Sequence, residues 1–156
     1  MPHASVIDVI PAPAAEVFQL LHNYDRRLEW DTLLRQAYLL EGETAAGLGV
    51  KSVCKGKWSL GGIALATEYV SFRPPEVAAV RMFSRPPFCE SFAATIRHAD
   101  QADGTSSIEY VYNFSARPRW MRPLLHPIMN FMLKAETRKR LAALKRHFTI
   151  LPQNAR

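Results

Sequence analysis

The sequence lacks most of what marks a specialised protein class. Two cysteines, Cys54 and Cys89, in 156 residues cannot build a disulfide framework or the closely paired ligand set of a structural zinc site. They read as reduced thiols, buried or half-buried. Five histidines, His3, His22, His98, His126 and His147, are scattered, with no HExxH and no CxxC anywhere, so no metal or other cofactor is implied. Seven glycines and eleven prolines are too few for a collagen or a low-complexity linker. There is no glycine loop to cradle a phosphate and no nucleophile elbow. No apolar run approaches the ~20 residues that span a bilayer. The opening MPHASVIDVIPAP has no charged region followed by a long apolar stretch, so the expectation is a cytoplasmic protein without a signal peptide.

What is present is the balance of a soluble globular domain, 48% hydrophobic and 22% charged, which excludes whole-chain disorder. A chain of this size buries roughly two thirds of its unfolded surface. Residues 1–151 are therefore expected to form a single domain, with 152–156 a frayed tail.

The charge is unevenly placed. The last forty positions hold ten Lys/Arg and one acid, Glu136, whereas the first 116 hold ten bases and thirteen acids. The basic character belongs to the C-terminal segment alone. Such a segment is either a solvated helix face or an attractor for an acidic membrane surface or anionic ligand. No recognition helix, zinc finger or RNP-like motif accompanies it, so nucleic acid is not an expected partner.

The chain reads as a strand, two helical turns, a run of hairpins and one long helix. SVIDVI (5–10) is β-branched and closed by Pro11. APAAEVFQLLHNY follows, with Pro13 in the first turn, Glu16 at the positive end, and Val17, Leu20, Leu21 and Tyr24 at helical spacing. DRRLEWD (25–31) is a second helical turn leading into the strand LLRQAYLLEG. Alternating segments come next at 49–58, 63–72, 77–84, 91–98 and 107–116, with turns at SLGG, RPPE, RPPF and Asp103-Gly104. In the last of them Ile108, Tyr110, Tyr112 and Phe114 share one face. Six consecutive strands with short connections predict an antiparallel meander.

The segment from Arg122 to Phe148 is the longest predicted helix, about 40 Å at ~1.5 Å per residue. Pro127 removes an interior hydrogen bond, so a kink or a later start is expected there. Leu125, Met129, Leu133, Leu144 and Phe148 form one stripe, with Met132 and Leu141 at its margins and Glu136 and Arg140 inside it. Leu124, Ile128 and Phe131 lie on the back, so the first half is apolar nearly all round and must be covered on more than one side.

The order β-α-α-β₆-α, the opening IPAPAAEVFQLL, the EWD at 29–31, and the ending RPRWMRPLLHPIMNFMLKAETRKRLAALKRHF together resemble the START/Bet v 1-like (SRPBCC) superfamily. That group includes polyketide cyclase/dehydrase and lipid-transfer proteins. The resemblance covers Ser5 to Phe148 and is architectural rather than catalytic. It is closer to START-type lipid binders than to the plant allergen relatives, whose glycine-rich loop is echoed only by Gly61-Gly62. It implies an α+β helix-grip fold: a curved antiparallel sheet of about seven strands around the long C-terminal helix, with two short helices after strand 1 and a cavity between sheet and helix.

The residues nominated to line that cavity are Trp30, Trp58, Tyr69, Met82, Tyr110, Tyr112, Phe114, Met129, Met132, Leu133, Glu136 and Arg140. Each has a plainer alternative. Trp30 serves equally as a core anchor under the helices. The Tyr110/Tyr112/Phe114 row is also a normal inward strand face. The methionines are adaptable core fillers. Two charges on an apolar stripe cannot be buried alone, so Glu136 and Arg140 either pair with each other one turn apart or fix the polar head of a ligand. His98, near a strand end, reads as a surface or turn histidine, or as a general base. No catalytic residue is assigned; Glu136, Arg140 and His98 are the only nominees.

Three functions follow as expectations. The first is binding or transport of a hydrophobic small molecule such as a lipid, isoprenoid or polyketide. The second is a cyclase, aromatase or dehydratase using the same cavity. The third is docking to an anionic membrane or a protein through the basic helix, where Leu124, Ile128 and Phe131 could equally make a dimer contact. Monomer and dimer both stay open.

Overall fold

A computed structural model describes residues 3–57 and 64–150. Trp58, the SLGG turn with Gly61-Gly62 and the tail 152–156 lie outside the described residues. The elements are β1 (His3–Ile10), α1 (Ala14–Leu21), a 3-10 turn (Tyr24–Arg26), α2 (Arg27–Trp30), β2 (Leu34–Leu39), β3 (Lys51–Gly56), β4 (Ala64–Arg73), β5 (Val77–Met82), β6 (Cys89–Asp100), β7 (Ser106–Ala116), a second 3-10 turn (Arg119–Met121) and α3 (Arg122–Ile150). All strands join one seven-stranded sheet in the order β1-β7-β6-β5-β4-β3-β2, and every neighbouring pair is antiparallel. This is the helix-grip arrangement.

Local chemistry accounts for the elements. Along β7, Ile108, Tyr110, Tyr112 and Phe114 are buried at every second position, the period of a pleated strand with one face on the core. The β6–β7 hairpin turns at Asp103-Gly104, where Gly104 takes φ +82°, a conformation that glycine adopts without strain. Pro13 stands just before α1 rather than inside it: its backbone is extended and its carbonyl accepts the Val17 amide at 3.1 Å. Asp100, at the end of β6, accepts the otherwise orphaned Ala14 amide at 2.8 Å, so the sheet itself caps the helix.

The main core lies between the inward faces of β1, β7 and β6 and the second half of α3. Ile10, Leu21, Ile108, Tyr112, Leu141 and Leu144 are essentially sealed in one cluster. The helix is packed into the core at its C-terminal end and tied to the end of β7 at its start, where the Ala116 amide donates to His126 Nε2 at 3.1 Å and Arg122 Nε donates to the Ala116 carbonyl at 2.9 Å. Leu141, Ala143, Leu144 and Phe148 are buried, whereas Leu124, Ile128, Phe131 and Met132 stand exposed, Phe131 at 75%. The helix also begins at Arg122 and passes through Pro127 rather than starting near it.

Candidate functional site

The helical turns between β1 and β2 bring a set of polar side chains onto the inner face of the sheet. His22, at the end of α1, has its Nδ1 2.8 Å from the Tyr69 hydroxyl. The Tyr69 hydroxyl lies 3.1 Å from that of Tyr24. Tyr24 donates to Ser52 Oγ at 3.1 Å, and Ser52 Oγ is 3.0 Å from Thr67 Oγ1, its cross-strand partner. The string runs from α1 across β4 to β3.

Phe18, Phe72 and Tyr69 pack around His22, with ring centroids 4.5, 5.8 and 5.5 Å from it. Beside them opens a cleft of about 570 Å³, its walls including Ala15, Phe18, His22, Tyr24, Ala46 and Phe72. That volume falls in the range of small-molecule sites, and the lining combines the Phe18 and Phe72 rings with the polar side chains of Gln19, His22, Asn23, Tyr24, Asp25 and Thr44.

Every titratable group of the string is neutral near pH 7. Burial, helped by Arg27 and His98, pushes the His22 imidazole down to about 3. Burial pushes His98 down to about 4. Burial and the neighbouring Tyr24 hold the Tyr69 hydroxyl well above its ordinary range, and burial likewise raises Tyr24.

Next to this string sits an ionic clamp. Buried Asp31 receives Arg27 Nε at 3.0 Å and Arg140 Nε at 2.9 Å on one carboxylate oxygen, and the Leu33 amide at 3.1 Å on the other. Burial alone would raise its pKa; Arg140 and then Arg27 outweigh that and hold the carboxyl below its usual value. Arg27 also lies over the Trp30 ring at 5.0 Å. The clamp ties α2 to α3.

None of the described nominated residues lines this cleft, which lies against α1 and not between the sheet and α3 as expected; they separate into groups. Tyr110, Tyr112 and Phe114 are packed solidly into the core, as are Trp30 and Met82. Tyr69 belongs to the polar string. On the front half of α3, Leu133 and Met129 are half-buried and Met132 is exposed. Leu133 packs against the edge of the main core together with half-buried Val80 and Phe92. Glu136 is half-buried, and Arg140 does not pair with it: its partner is Asp31, because the carboxylate facing the helix is buried and already committed to a cation. His98 is neither a surface nor a turn residue. β6 continues to Asp100, so His98 points inward, 6% exposed, with its ring 5.3 Å from that of Phe18 and, among the described residues, no hydrogen-bond partner on either nitrogen.

Sequence reasoning passed over His22, Ser52, Arg27 and Asp31 as site residues. The one available signal was a histidine at the end of an otherwise apolar helical face, next to Asn23-Tyr24. Among the described residues no group of three or more potential metal ligands occurs, and no helix is long and apolar enough to cross a membrane.

Residues 1–149 match the model of a family described as polyketide cyclase/dehydrase and lipid transport. No curated protein matches the chain. Several solved structures share the fold at low identity. One is the di-domain ARO/CYC BexL from the BE-7585A biosynthetic pathway, at TM-score 0.80 and 16% identity over 99% of this chain and 48% of that one; this chain spans about half its length. A second is the Zhui aromatase/cyclase from Streptomyces sp. R1128, at TM-score 0.76 and 14% identity over 95% and 93% of the two chains. A third is a START superfamily protein from Mycobacterium smegmatis, at TM-score 0.74 and 10% identity over 96% and 98%.

Proposed function

The chain belongs to the polyketide cyclase/dehydrase and lipid-transport family, and from that premise we propose that it binds and carries a hydrophobic small molecule of lipid, isoprenoid or polyketide type. The observation that carries this reading is the cleft of about 570 Å³ between α1 and Phe72, walled by Phe18, Phe72, Ala46 and Pro75, with His22 and Tyr24 in its lining and Gln19, Asn23, Asp25 and Thr44 as its other polar residues. Neutral His22 and Tyr24 can orient an apolar ligand without demanding that an ion be desolvated. The alternative, a cyclase or dehydratase, needs an acid or base poised near the working pH. His22 is held far below it, Arg140 is engaged by Asp31, and His98 is not among the residues lining the cleft. These features favour a carrier over an acid–base catalyst.

Native mass spectrometry of protein purified from its own host tests the reading. A co-purifying apolar molecule is expected in the wild type. It should be lost in Ala15→Trp, a substitution at an exposed helical position that fills the cleft mouth. Protein that carries nothing, and takes up no apolar probe, overturns the proposal.

A second reading is compatible with the first: transient docking on an anionic membrane. It is favoured by the outer face of α3, where Leu124, Ile128 and Phe131 are exposed and Arg138, Lys139 and Arg146 continue the same face, also exposed. An apolar stretch followed by a cationic one suits an anionic bilayer, which attracts the bases while accepting the side chains. Flotation with phosphatidylserine vesicles should fall steeply with salt and in Phe131→Ser. Flotation indifferent to lipid charge would remove this reading.

A further inference from the structure

The protons of the polar string can be counted, and the count leaves one atom over. Tyr24 has a single hydroxyl proton, and it is given to Ser52 Oγ. The 3.1 Å contact between Tyr24 and Tyr69 therefore needs its proton from Tyr69, which donates to the Tyr24 oxygen. Tyr69 has no second proton, so its 2.8 Å contact with His22 Nδ1 must be donated by the imidazole. His22 thus carries its one proton on Nδ1, since burial keeps the ring neutral and a neutral imidazole has one N–H only. Its Nε2 is a bare lone pair.

Among the described residues that atom has no partner, although His22 is 6% exposed and a buried acceptor left unsatisfied is a standing cost. The ring itself belongs to the wall of the cleft between α1 and Phe72. Each link upstream is polarised in the same sense, from His22 toward Ser52, which strengthens the arrangement and fixes the tautomer. The site offers an acceptor where a carbonyl-binding site would offer a donor.

We propose that His22 Nε2 is the recognition atom of a subsite that selects an apolar ligand bearing a hydroxyl group, an alcohol or a phenol, over its ether or ketone counterpart. This rests on the ligand-binding reading of the cleft and narrows it. The Phe18 and Phe72 rings flank the imidazole, so the carbon skeleton next to the hydroxyl is expected to be flat or aromatic. Contact with Nε2 requires these rings to give way slightly, because the atom is covered in the unliganded arrangement. A ligand without a donor has nothing to compensate that movement.

The test has two independent arms. In ¹⁵N-labelled protein at pH 7, long-range ¹H–¹⁵N correlation should show His22 in the Nδ1–H form, assigned by the signals lost in His22→Asn. A ring protonated on Nε2 overturns the proposal before any ligand is added. In the second arm, 2-naphthol and 2-methoxynaphthalene are titrated as probes. The phenol should bind about ten-fold more tightly or better and move the Nε2 resonance. The preference should collapse in Tyr69→Phe, which frees the tautomer. Equal binding of the two probes, seen on the Phe18 and Phe72 resonances, overturns the hydroxyl selectivity and leaves the ligand-binding reading standing. Failure of both probes to bind, with the Nδ1–H form intact, overturns that reading and the selectivity with it.

Discussion

Arg140 reaches from α3 to Asp31, Nε to Oδ2 at 2.9 Å, and ignores Glu136 one turn back on its own helix. The contact joins residues 109 positions apart. It makes a carboxylate beneath α2 the point on which the long helix is pinned, with Arg27 as the second cation.

Asp31→Asn should therefore be among the costliest single substitutions in the chain. It leaves Arg27, a buried residue, and Arg140 without their shared anion, and breaking a buried pair in this way costs about 3–5 kcal/mol. Arg140→Met should cost clearly less, since the Arg140 side chain is 20% exposed and Asp31 keeps Arg27. Urea unfolding of the two variants measures both; equal losses would show that Arg27 alone does not hold the carboxylate.

Mild acid should loosen the fold before the carboxylates titrate. His22 and His98 titrate near 3 and 4 in the folded chain and near 6.5 when unfolded. Below pH 6.5 the unfolded chain binds more protons, so stability is complete above that value and falls as the pH drops toward the folded values. At pH 5 each histidine accounts for a loss of about 2 kcal/mol. The groups facing this pair are Phe18, Phe72, Tyr69 and Arg27, and none is an acid. Asp31 acts lower still: its contribution is present above its unfolded value and vanishes only as the pH falls through its depressed folded one. Denaturant midpoints from pH 7 to pH 5 check the slope, and His98→Asn should flatten it by roughly half.

Tyr69→Phe deletes the middle of the polar string. The His22 Nδ1–H and the Tyr24 oxygen lose their partner while the aromatic packing against Phe72 survives. The expected loss is about 1–3 kcal/mol, read by thermal unfolding. A neutral outcome would mean that the remaining groups re-pair among themselves.

The two halves of α3 should respond oppositely to truncation. Leu144→Ala opens a cavity in the main core and should cost about 2–5 kcal/mol. Phe131→Ser removes an exposed ring and should stay within about 0.5 kcal/mol of the parent. Unfolding curves of the pair decide whether the front of the helix carries any of the fold's stability.

How far the sequence could be read depended on the range of each interaction. Ile108, Tyr110, Tyr112 and Phe114 were legible as an inward face because a strand repeats every two residues and no distant partner is needed to see it. The same local logic placed β1 through β7 in order as an antiparallel meander; the helix-grip arrangement followed from the resemblance to the START/Bet v 1-like superfamily. It failed for Arg140, since periodicity offers only neighbours three or four residues away, and Asp31 lies beyond that horizon. It failed for His98 because the predicted strand stopped at that residue, whereas pairing with β7 carries β6 on to Asp100. The string from His22 to Thr67 was invisible for a further reason: it is assembled by the cross-strand pairing of Ser52 with Thr67 and by an irregularity between Tyr69 and Ser71, neither of which leaves a mark in hydrophobic spacing.

The long helix is clamped at both ends: Leu141, Leu144 and Phe148 are sunk in the core and Arg122 and His126 are bonded to Ala116, while Leu124, Ile128, Phe131 and Met132 form an outward ridge between the clamps. Substitutions at those outward positions cost the scaffold little, so their side chains are free to drift under selection for whatever they meet. A fold built this way can change its docking surface by rewriting one exposed ridge while both clamps and the curved sheet stay as they are.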